Sequence, residues 1–485
     1  MADPDRTVDS QASAAAPARA SVEASTAARV HAYLRGVTDE MVAQLVEWCT
    51  IPSVVGADDD EQHLDHSARW LVDALEGAGF PTVERWPSGG TTAVYAEWCP
   101  DADAPTVLVY SHHDVRAAKE ENWERTRPFE PALQDGRVYG RGTSDAKGQV
   151  LAHVWGVRAH LAATGRSAPA VNLKILVEGE EESGSPHLAT LLERNRDRLG
   201  ADLVVFSDTL LWHADHPAVC TSMRGTMLAH VSVRGTAVDA HSGAVSGAAP
   251  NAALELCNLL AQLHDPEGRV TLPGFYDDVA EPDGRRRAEL AALPFDEADW
   301  LARSGTRRVA GESGYTLLER LWLRPTIEVL MLVAGDPYDL PRAAVPANAE
   351  ADLSIRYVPD QDARTIADQL RQWVAERISP SVDFDLWISE KTAQDPYVTP
   401  DVPAVGALER AMAAGFRNGR VGRMGNAGGG PAVLLADTLG APVVFFGTGL
   451  VEDRWHDSDE SMATDVLRAG AATLACLWDE LSRQR

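Results

Sequence analysis

The sequence predicts an α/β protein in which a mainly parallel sheet is sandwiched by helices and a second, α+β domain is inserted. Short apolar runs alternate with helical patterns, which is the order that parallel βαβ units produce. Each run is followed by His, Asp or Glu residues, directly or after a loop. The runs cover residues 106–110, 173–177, 203–206 and 443–446. Parallel sheets bind ligands outside the carboxyl ends of their strands, so a functional site is expected at that edge.

The length of 485 residues exceeds what one hydrophobic core usually supports, so two domains are expected. The alternation of strands and helices stops near Met223 and returns later in the chain. Residues 265–311 are polar and charged, as expected of an insertion with short helices. The predicted division is a disordered tail over 1–27, a main domain over 28–222 and 357–485, and an inserted domain over 223–356.

Local signals predict several helices. Thr38 is expected to cap one helix, and a second is expected over residues 60–76. A glycine-rich loop at 140–148 leads into an amphipathic helix that Gly165 ends. From about Ile366 a helix resumes and opens the second part of the main domain.

Composition excludes several classes of function. The formal net charge of −28 argues against nucleic acid or an anionic membrane as a partner, because phosphate binding needs a basic surface. Five cysteines without CxxC spacing indicate reduced thiols, as in the cytosol, rather than a disulfide framework. No apolar run is long enough to span a bilayer, and the first residues lack the apolar core of a signal peptide.

Residues at the predicted strand ends form a ligand set for two metal ions. Two divalent ions about 3.5–4 Å apart need a bridging carboxylate, and each also needs a His and an acid. Asp145 lies in the glycine-rich loop, so its carboxylate can reach a central position. The remaining ligands are His112, Glu182, Asp208 and His456, with water in the open positions.

Two neighbours of these ligands have predicted roles of their own. Asp114 is expected to accept the second ring proton of His112, a pairing that fixes the tautomer of a ligand. Glu181 stands next to Glu182 and is the candidate base that takes a proton from the attacking water and delivers it to the leaving amine. The three acids at 180–182 would repel one another unless cations compensate them.

Each element, taken alone, has a simpler explanation. A single His-x-Asp is a weak signal, three acids in a row usually form a solvated loop, and His456 has the acidic neighbours of a surface histidine. The glycine-rich loop could suggest a phosphate site, but it lacks the GxxxxGK[ST] spacing and its acid would repel phosphate. Chance is a poor explanation for five such elements in one order at one sheet edge.

In four motifs the sequence resembles the large metallopeptidase family that includes carnosinases, bacterial dipeptidases, aminoacylases and acetylornithine deacetylase. The matches extend from about residue 35 to the C-terminus. The motifs are an HxDV element at 112–115, a YGRGxxDxKG loop at 139–148, an EGxEESGS element at 178–185, and Ser207-Asp208 together with His456 and Glu460.

The resemblance implies a pair of zinc ions, with Mn²⁺ or Co²⁺ as substitutes, and it implies that Asp145 bridges them. The ligands of one ion would be His112 and Asp208, and those of the other would be Glu182 and His456. Glu181 would be the catalytic base.

The resemblance also implies that the inserted domain is a lid that carries the interface of a homodimer. Residues 239–243 are similar to the DxHSG element of the family, so His241 would reach the active site of the partner subunit and stabilise the oxyanion. Residues 354–356 are similar to the strand whose Arg356 would bind the free carboxylate of the substrate. A dimer-contact or core histidine remains the alternative for His241, and an ordinary ion pair remains the alternative for Arg356.

The long lid and residues 274–279 resemble the carnosinase and dipeptidase branch. At 427–431 this chain has Ala-Gly-Gly-Gly-Pro in place of a GGSIP-like loop, so Gly429 stands where a hydroxyl that contacts the substrate is expected. Further departures from that branch are Ala146, Asp459 and the pair at 330–331. The metal-binding residues therefore match the family more closely than the substrate pocket does.

We therefore expect a cytosolic, dimeric di-zinc metallohydrolase that cleaves an amide bond in a small substrate with a free carboxylate. A dipeptidase is the first choice, and an N-acyl amino acid deacylase with the same chemistry is the alternative. A catalytically silent binding protein is the hypothesis of another class. Retention of Glu181 and of every candidate metal ligand argues against it.

Overall fold

The computed structural model describes residues 25–56, 60–335 and 342–484 of the protein. Most of the tail predicted over residues 1–27 lies outside these ranges. The end of it is helical, because the hydroxyl of Ser25 accepts a hydrogen bond from the amide of Ala28 (3.2 Å) and caps a helix that begins at Thr26.

Up to residue 223 three helices and five strands come first, and the predicted order of helix and strand follows from residue 147 onward. The helices are α1 (Thr26–Gly36), α2 (Thr38–Cys49), α3 (Asp60–Ala78), α4 (Lys147–Thr164), α5 (Leu188–Arg194) and α6 (Arg196–Leu199). The strands are β1 (Thr82–Ser88), β2 (Thr91–Trp98), β3 (Thr106–His112), β4 (Ala132–Gln134), β5 (Arg137–Tyr139), β6 (Asn172–Glu178), β7 (Leu203–Phe206) and β8 (Ala218–Met223).

The middle of the chain forms a second group of elements. Its strands are β9 (Gly225–Arg234), β10 (Ala240–His241), β11 (Thr326–Ala334), β12 (Ala344–Val345), β13 (Asn348–Tyr357) and β14 (Asp383–Ile388). Its helices are α7 (Ser242–Val245), α8 (Ala252–Leu260), α9 (Gly284–Ala291), α10 (Glu297–Ser304), α11 (Leu317–Leu323) and α12 (Ala363–Arg377).

The last part returns to the first domain. Its strands are β15 (Tyr397–Val398), β16 (Gly422–Asn426), β17 (Val443–Phe445) and β18 (Ser461–Ala463). Its helices are α13 (Pro403–Gly415), α14 (Ala432–Leu439) and α15 (Thr464–Ser482). No helix in the described ranges combines the length and apolar character needed to cross a membrane.

The first domain is built on a nine-stranded sheet in the order β1-β2-β6-β3-β7-β17-β8-β15, with β16 beside β8. Strands β6, β3, β7 and β17 run parallel at its centre, and β1 and β2 are antiparallel at one edge. Hydrophobic side chains from helices fill both faces of the sheet, which places one core on each side. The predicted α/β sandwich is confirmed.

Two local predictions were wrong. Thr38 does not cap a helix from outside: it is the first residue of α2, and its hydroxyl donates to the carbonyl of Leu34 (2.8 Å). Helix α4 is not amphipathic, because it packs between the sheet and helices α1 and α15 and is buried on nearly every side. It ends at Gly165, which has the left-handed conformation (φ 70°) that helix ends often need.

The second domain has its own four-stranded sheet, in the order β11-β13-β9-β14, and its own hydrophobic core with α8 and α12. The sequence places the boundary after residue 356, which is wrong. Helix α12 packs in this core through Ile366 and Trp373, and β14 pairs with β9. The domain therefore continues to about residue 394, and the chain re-enters the first sheet at β15.

Helices α9 to α11 lie within the sequence of the inserted domain but pack elsewhere. Leu290, Leu317 and Trp322 join the hydrophobic core on one face of the large sheet. These helices therefore connect the two domains.

Candidate metal centre and active site

The large sheet brings the predicted site residues to one edge. In the parallel register of β3 and β6, His112 lies opposite Glu178, and both strands end there. Tyr110 of β3 lies opposite Phe206, so Asp208 leaves β7 at the same edge. The sequence pattern of apolar runs ending in acids and imidazoles thus becomes one cluster, because parallel strands end on the same side.

Five predicted ligands meet in two clusters that share Asp145. His112, Asp145 and Asp208 form one cluster and Asp145, Glu182 and His456 the other, with the ligand atoms of each cluster within 4.8 Å of one another. Oδ1 of Asp145 lies 3.2 Å from Nε2 of His112, and Oδ2 lies 2.9 Å from Nε2 of His456. The two carboxylate oxygens therefore face different clusters, as a bridging ligand requires.

The donor atoms fit a metal better than a network of hydrogen bonds. Nε2 of His112 and Oδ1 of Asp208 are buried and make no hydrogen bond with any residue that the structure describes. Buried polar atoms are nearly always satisfied, so unsatisfied ones call for an explanation. Imidazole nitrogens and carboxylate oxygens are common metal ligands in proteins.

The electrostatics of the cluster also favour cations. Burial and the charge of Asp208 raise the pKa of Glu181, and burial and the charge of Asp145 raise the pKa of Glu182. Burial alone would lower the pKa of His112, but the surrounding carboxylates, Asp208 foremost, raise it. Negative charges are therefore crowded in a buried space, and divalent ions would stabilise their ionised forms.

Glu460 holds the loop that carries Asp145. Its buried carboxylate accepts hydrogen bonds from the backbone amides of Gly142 (3.1 Å), Ser144 (3.0 Å) and Asp145 (3.0 Å). Nη1 of Arg141 donates a fourth (2.7 Å). A carboxylate that accepts hydrogen bonds from three backbone amides of one loop fixes the conformation of that loop. The sequence motifs include Glu460 but do not assign it this position.

Asp114 occupies the predicted place with a different set of partners. Its Oδ1 and Oδ2 accept from the backbone amides of Glu181 (3.2 Å) and Glu182 (2.9 Å). Nδ1 of His112 lies 3.1 Å from the backbone carbonyl oxygen of Asp114. Its distance to Oδ1 of the carboxylate is longer, at 3.4 Å. The carboxylate of Asp114 therefore mainly positions the segment with the candidate base, and its backbone orients His112.

The three consecutive acids face different partners. Glu180 turns to His187, which donates to it from the backbone amide (3.0 Å) and faces it with Nδ1 (2.9 Å). Glu182 joins the metal cluster, where Nε of Arg116 lies 2.7 Å from its Oε2. This separation reduces the repulsion that the sequence predicts for adjacent carboxylates. No sequence signal singles out Arg116, which directly follows the HxDV element.

The remaining predicted residues lie outside the two clusters. His241 is exposed in β10 of the inserted domain, and Asp239 beside it accepts from Nη2 of Arg342 (2.6 Å) and the amide of Ala347 (2.8 Å). The guanidinium of Arg356, on β13, makes no hydrogen bond or ion pair with a residue in the described ranges, and burial lowers its pKa. The alternative of an ordinary ion pair for Arg356 finds no partner among the described residues. Gly429 lies in the loop between β16 and α14.

Comparisons with known proteins agree with this geometry. Beta-Ala-His dipeptidase of Rattus norvegicus is 29% identical over 361 residues, which cover 72% of this chain and 73% of the relative. Cysteinylglycine-S-conjugate dipeptidase of Corynebacterium striatum is 26% identical over 407 residues, with coverage of 82% and 86%. The crystal structure of human carnosine dipeptidase 1 superposes with a TM-score of 0.84 at 25% identity and covers 95% of this chain and 99% of that chain.

A profile of the family described as Peptidase family M20/M25/M40 matches residues 108–480, which is well over half of the chain. The match includes both clusters and the loop that carries Asp145. The expected resemblance to metallopeptidases is confirmed. The protein is a hydrolase of peptide amide bonds and belongs to Peptidase family M20/M25/M40.

Proposed function

We propose that this peptidase is a di-zinc dipeptidase that cleaves substrates with a free C-terminal carboxylate. The observation that carries the proposal is the pair of clusters that share Asp145, in which Nε2 of His112 and Oδ1 of Asp208 are buried without a hydrogen-bond partner among the described residues. The names of the relatives, which are dipeptidases, support the substrate class.

In this proposal His112 and Asp208 would hold one ion, Glu182 and His456 would hold the other, and Asp145 would serve both. When bound, two divalent ions polarise the scissile carbonyl and lower the pKa of water. Zinc suits the mixed imidazole and carboxylate donors, and Mn²⁺ or Co²⁺ can take its place in such a set.

Glu181 is the proposed base. Burial and the neighbouring carboxylates raise its pKa, which suits a group that must accept and release a proton. Its backbone amide donates to Asp114 (3.2 Å), which fixes its position at the edge of the cluster. Glu181 would accept a proton from the attacking water and deliver it to the leaving amine.

Arg356 is the proposed receptor of the substrate carboxylate. Its guanidinium is half-buried and has no partner within the described part of the chain, so an incoming carboxylate would supply the missing counter-charge. The requirement for a free carboxylate follows from this residue.

His241 is proposed to act across a homodimer, where it would donate to the oxyanion in the site of the partner subunit. His241 is exposed and belongs to neither cluster of its own chain, which supports this role. Strand β11 lies at the edge of the sheet in the inserted domain and exposes four apolar side chains, Val329, Leu330, Leu332 and Val333. An exposed apolar edge strand is a surface that another chain tends to cover.

We also propose a cytoplasmic location. All five cysteines are unpaired, and three of them are buried. Unpaired thiols are typical of a reducing compartment. The strong negative charge gives no support to nucleic acid or an anionic membrane as a partner.

The experiment is hydrolysis by the zinc-loaded protein of dipeptides, C-amidated dipeptides and N-acetyl amino acids. We expect cleavage of dipeptides and little cleavage of the amidated forms. Cleavage of N-acetyl amino acids alone would contradict the dipeptidase proposal and favour a deacylase. Cleavage of neither class, with metal bound, would favour a more specialised amide as the substrate.

A further inference from the structure

The loop around Gly429 meets the inserted domain at a point where no side chain fits. A Cβ atom added at Gly429 would lie 2.4 Å from Cγ2 of Thr226 and 2.9 Å from Oε1 of Gln394. Both distances are below 3.0 Å, closer than Cβ atoms come to other heavy atoms in proteins. Thr226 and Gln394 therefore occupy the space that a side chain at position 429 would use.

Backbone hydrogen bonds hold this arrangement together. The amide of Thr226 donates to the carbonyl of Gln394 (2.9 Å), and the amide of Gln394 donates to the carbonyl of Thr226 (3.0 Å). Two residues earlier, Arg224 donates to the carbonyl of Ala427 from Nη2 (3.1 Å) and Nε (3.3 Å). The glycine loop is thus tied to the start of β9, so its position relative to Thr226 is fixed.

Thr226 also lies beside Arg356. The two residues are directly opposite each other in the antiparallel register of β9 and β13. Opposite residues of such a pair point to the same face of the sheet, with Cβ atoms about 5 Å apart. Both side chains therefore stand on one face of the sheet, next to the loop of Gly429.

Three polar side chains at this place have no partner in the described part of the chain. The hydroxyl of Thr226, the carboxamide of Gln394 and the guanidinium of Arg356 make no hydrogen bond with another described residue. The hydroxyl and the carboxamide each offer a donor, and the guanidinium offers several. Neutral donors beside a half-buried cation suit a carboxylate.

We propose that Thr226 and Gln394 complete the site for the substrate carboxylate and supply the side-chain donors that Gly429 lacks. The inference rests on the proposed function of Arg356 and extends it to two residues that no motif includes. In this chain the donors come from β9 and from the segment that follows β14, in the inserted domain, and the loop contributes backbone only. Thr226 and Gln394 would thus replace the donor that is missing at position 429.

The first test compares Thr226→Val with Thr226→Ser. Valine keeps the shape and removes the hydroxyl, whereas serine keeps the hydroxyl. A hydrogen bond to a charged group contributes enough that we expect Thr226→Val to raise KM for a dipeptide about tenfold or more, with kcat little changed. Thr226→Ser should stay close to the wild type, and Gln394→Leu should resemble Thr226→Val.

A second readout measures binding without turnover. The measurement uses the Glu181→Gln background, in which turnover should be negligible, and a free-carboxylate dipeptide should raise the melting temperature there more than its C-amidated analogue does. This difference should shrink in Thr226→Val and Gln394→Leu. It should persist in Thr226→Ser.

Reciprocal substitution adds a steric control. Gly429→Ser should impair binding, because the new side chain collides with Thr226. Thr226→Ser removes the colliding methyl group and keeps the hydroxyl, so its combination with Gly429→Ser should recover part of the loss.

Failure of this inference and failure of the dipeptidase proposal give different results. If the wild type cleaves dipeptides but both Thr226→Val and Gln394→Leu leave KM and the thermal shift unchanged, this inference is overturned and the dipeptidase proposal stands. If the wild type neither cleaves nor distinguishes free from amidated dipeptides, the proposed function fails and this inference fails with it.

Discussion

At the scale of single residues, the acids at 180–182 show how far a motif can be interpreted. The sequence contains three chemically alike carboxylates, and only the structure separates them by partner. Glu180 faces His187, Glu182 lies in the metal cluster, and Glu181 lies at its edge with a raised pKa. The sequence predicted the ligand set because each ligand follows a recognisable strand or loop. It did not predict that the backbone carbonyl of Asp114 lies nearer to His112 than the carboxylate does, because that choice of acceptor depends on local geometry.

Glu181→Gln tests the proposed base. Glutamine keeps the size of the side chain but cannot accept and release the proton, so we expect kcat to fall by about 10²–10⁴-fold. Metal content, measured by atomic emission after gel filtration, should stay at the wild-type level.

Glu180→Gln is the matched control, because it makes the same chemical change in the adjacent acid. It should keep activity near that of the wild type. Equal losses in both variants would show that charge in the segment, rather than a base at 181, supports the reaction.

At the scale of elements, the loop between β5 and α4 depends on a residue far away in sequence. The four hydrogen bonds that Glu460 accepts connect the end of the chain to residues 141–145. A pattern of glycines predicts the loop but not its clamp, because the contact joins positions more than 300 residues apart. Helix α4 was misjudged for a similar reason. The face of α4 that points away from the sheet is also buried, because α1 and α15 cover it.

Glu460→Gln tests this clamp. The substitution leaves Arg141 without its buried counter-charge and weakens the hold on the Asp145 loop. We expect a loss of about 3–5 kcal/mol in the free energy of unfolding of the metal-free protein, prepared with a chelator and unfolded with denaturant. Metal affinity, measured by calorimetric titration, should fall as well.

Asp465→Asn provides the control for that measurement, because Asp465 pairs with Arg468 (2.6 Å) on the surface of α15. An exposed pair contributes about 1 kcal/mol or less. A Glu460→Gln variant as stable as this control, with unchanged metal affinity, would contradict the clamp.

At the scale of the whole molecule, the sequence predicted an inserted domain but ended it too early. Helix α12 and strand β14 continue the order of helix and strand that also describes the first domain. Only the pairing of β14 with β9 assigns them to the second sheet, and pairing partners cannot be inferred from local periodicity. An insertion with short helices was predicted over residues 265–311, where α9 and α10 lie, but the packing of these helices and of α11 on the large sheet was not predicted.

The proposed homodimer is a prediction at this scale. Leu330 is 62% exposed on β11, so Leu330→Asp should disrupt an interface there and shift the protein from dimer to monomer in light scattering. Activity should fall with it, because His241 could no longer reach the partner subunit. Leu133→Asp alters an exposed leucine of the first domain (53%) and should change neither property.

Mixing two inactive variants checks the crossing of His241 directly. A dimer of one His241→Ala chain and one Glu181→Gln chain contains one site with both wild-type groups. Co-refolded mixtures should therefore regain part of the activity. No recovery, with mixed dimers present, would place His241 outside the reaction.

The central claim is that one carboxylate joins two metal sites. The most direct test is calorimetric titration with zinc of the metal-free protein, performed on the wild type and on Asp145→Asn. The account predicts two ions per chain for the wild type and a marked loss of affinity at both sites in Asp145→Asn. One ion per chain in the wild type, or two ions bound with unchanged affinity in Asp145→Asn, would contradict it.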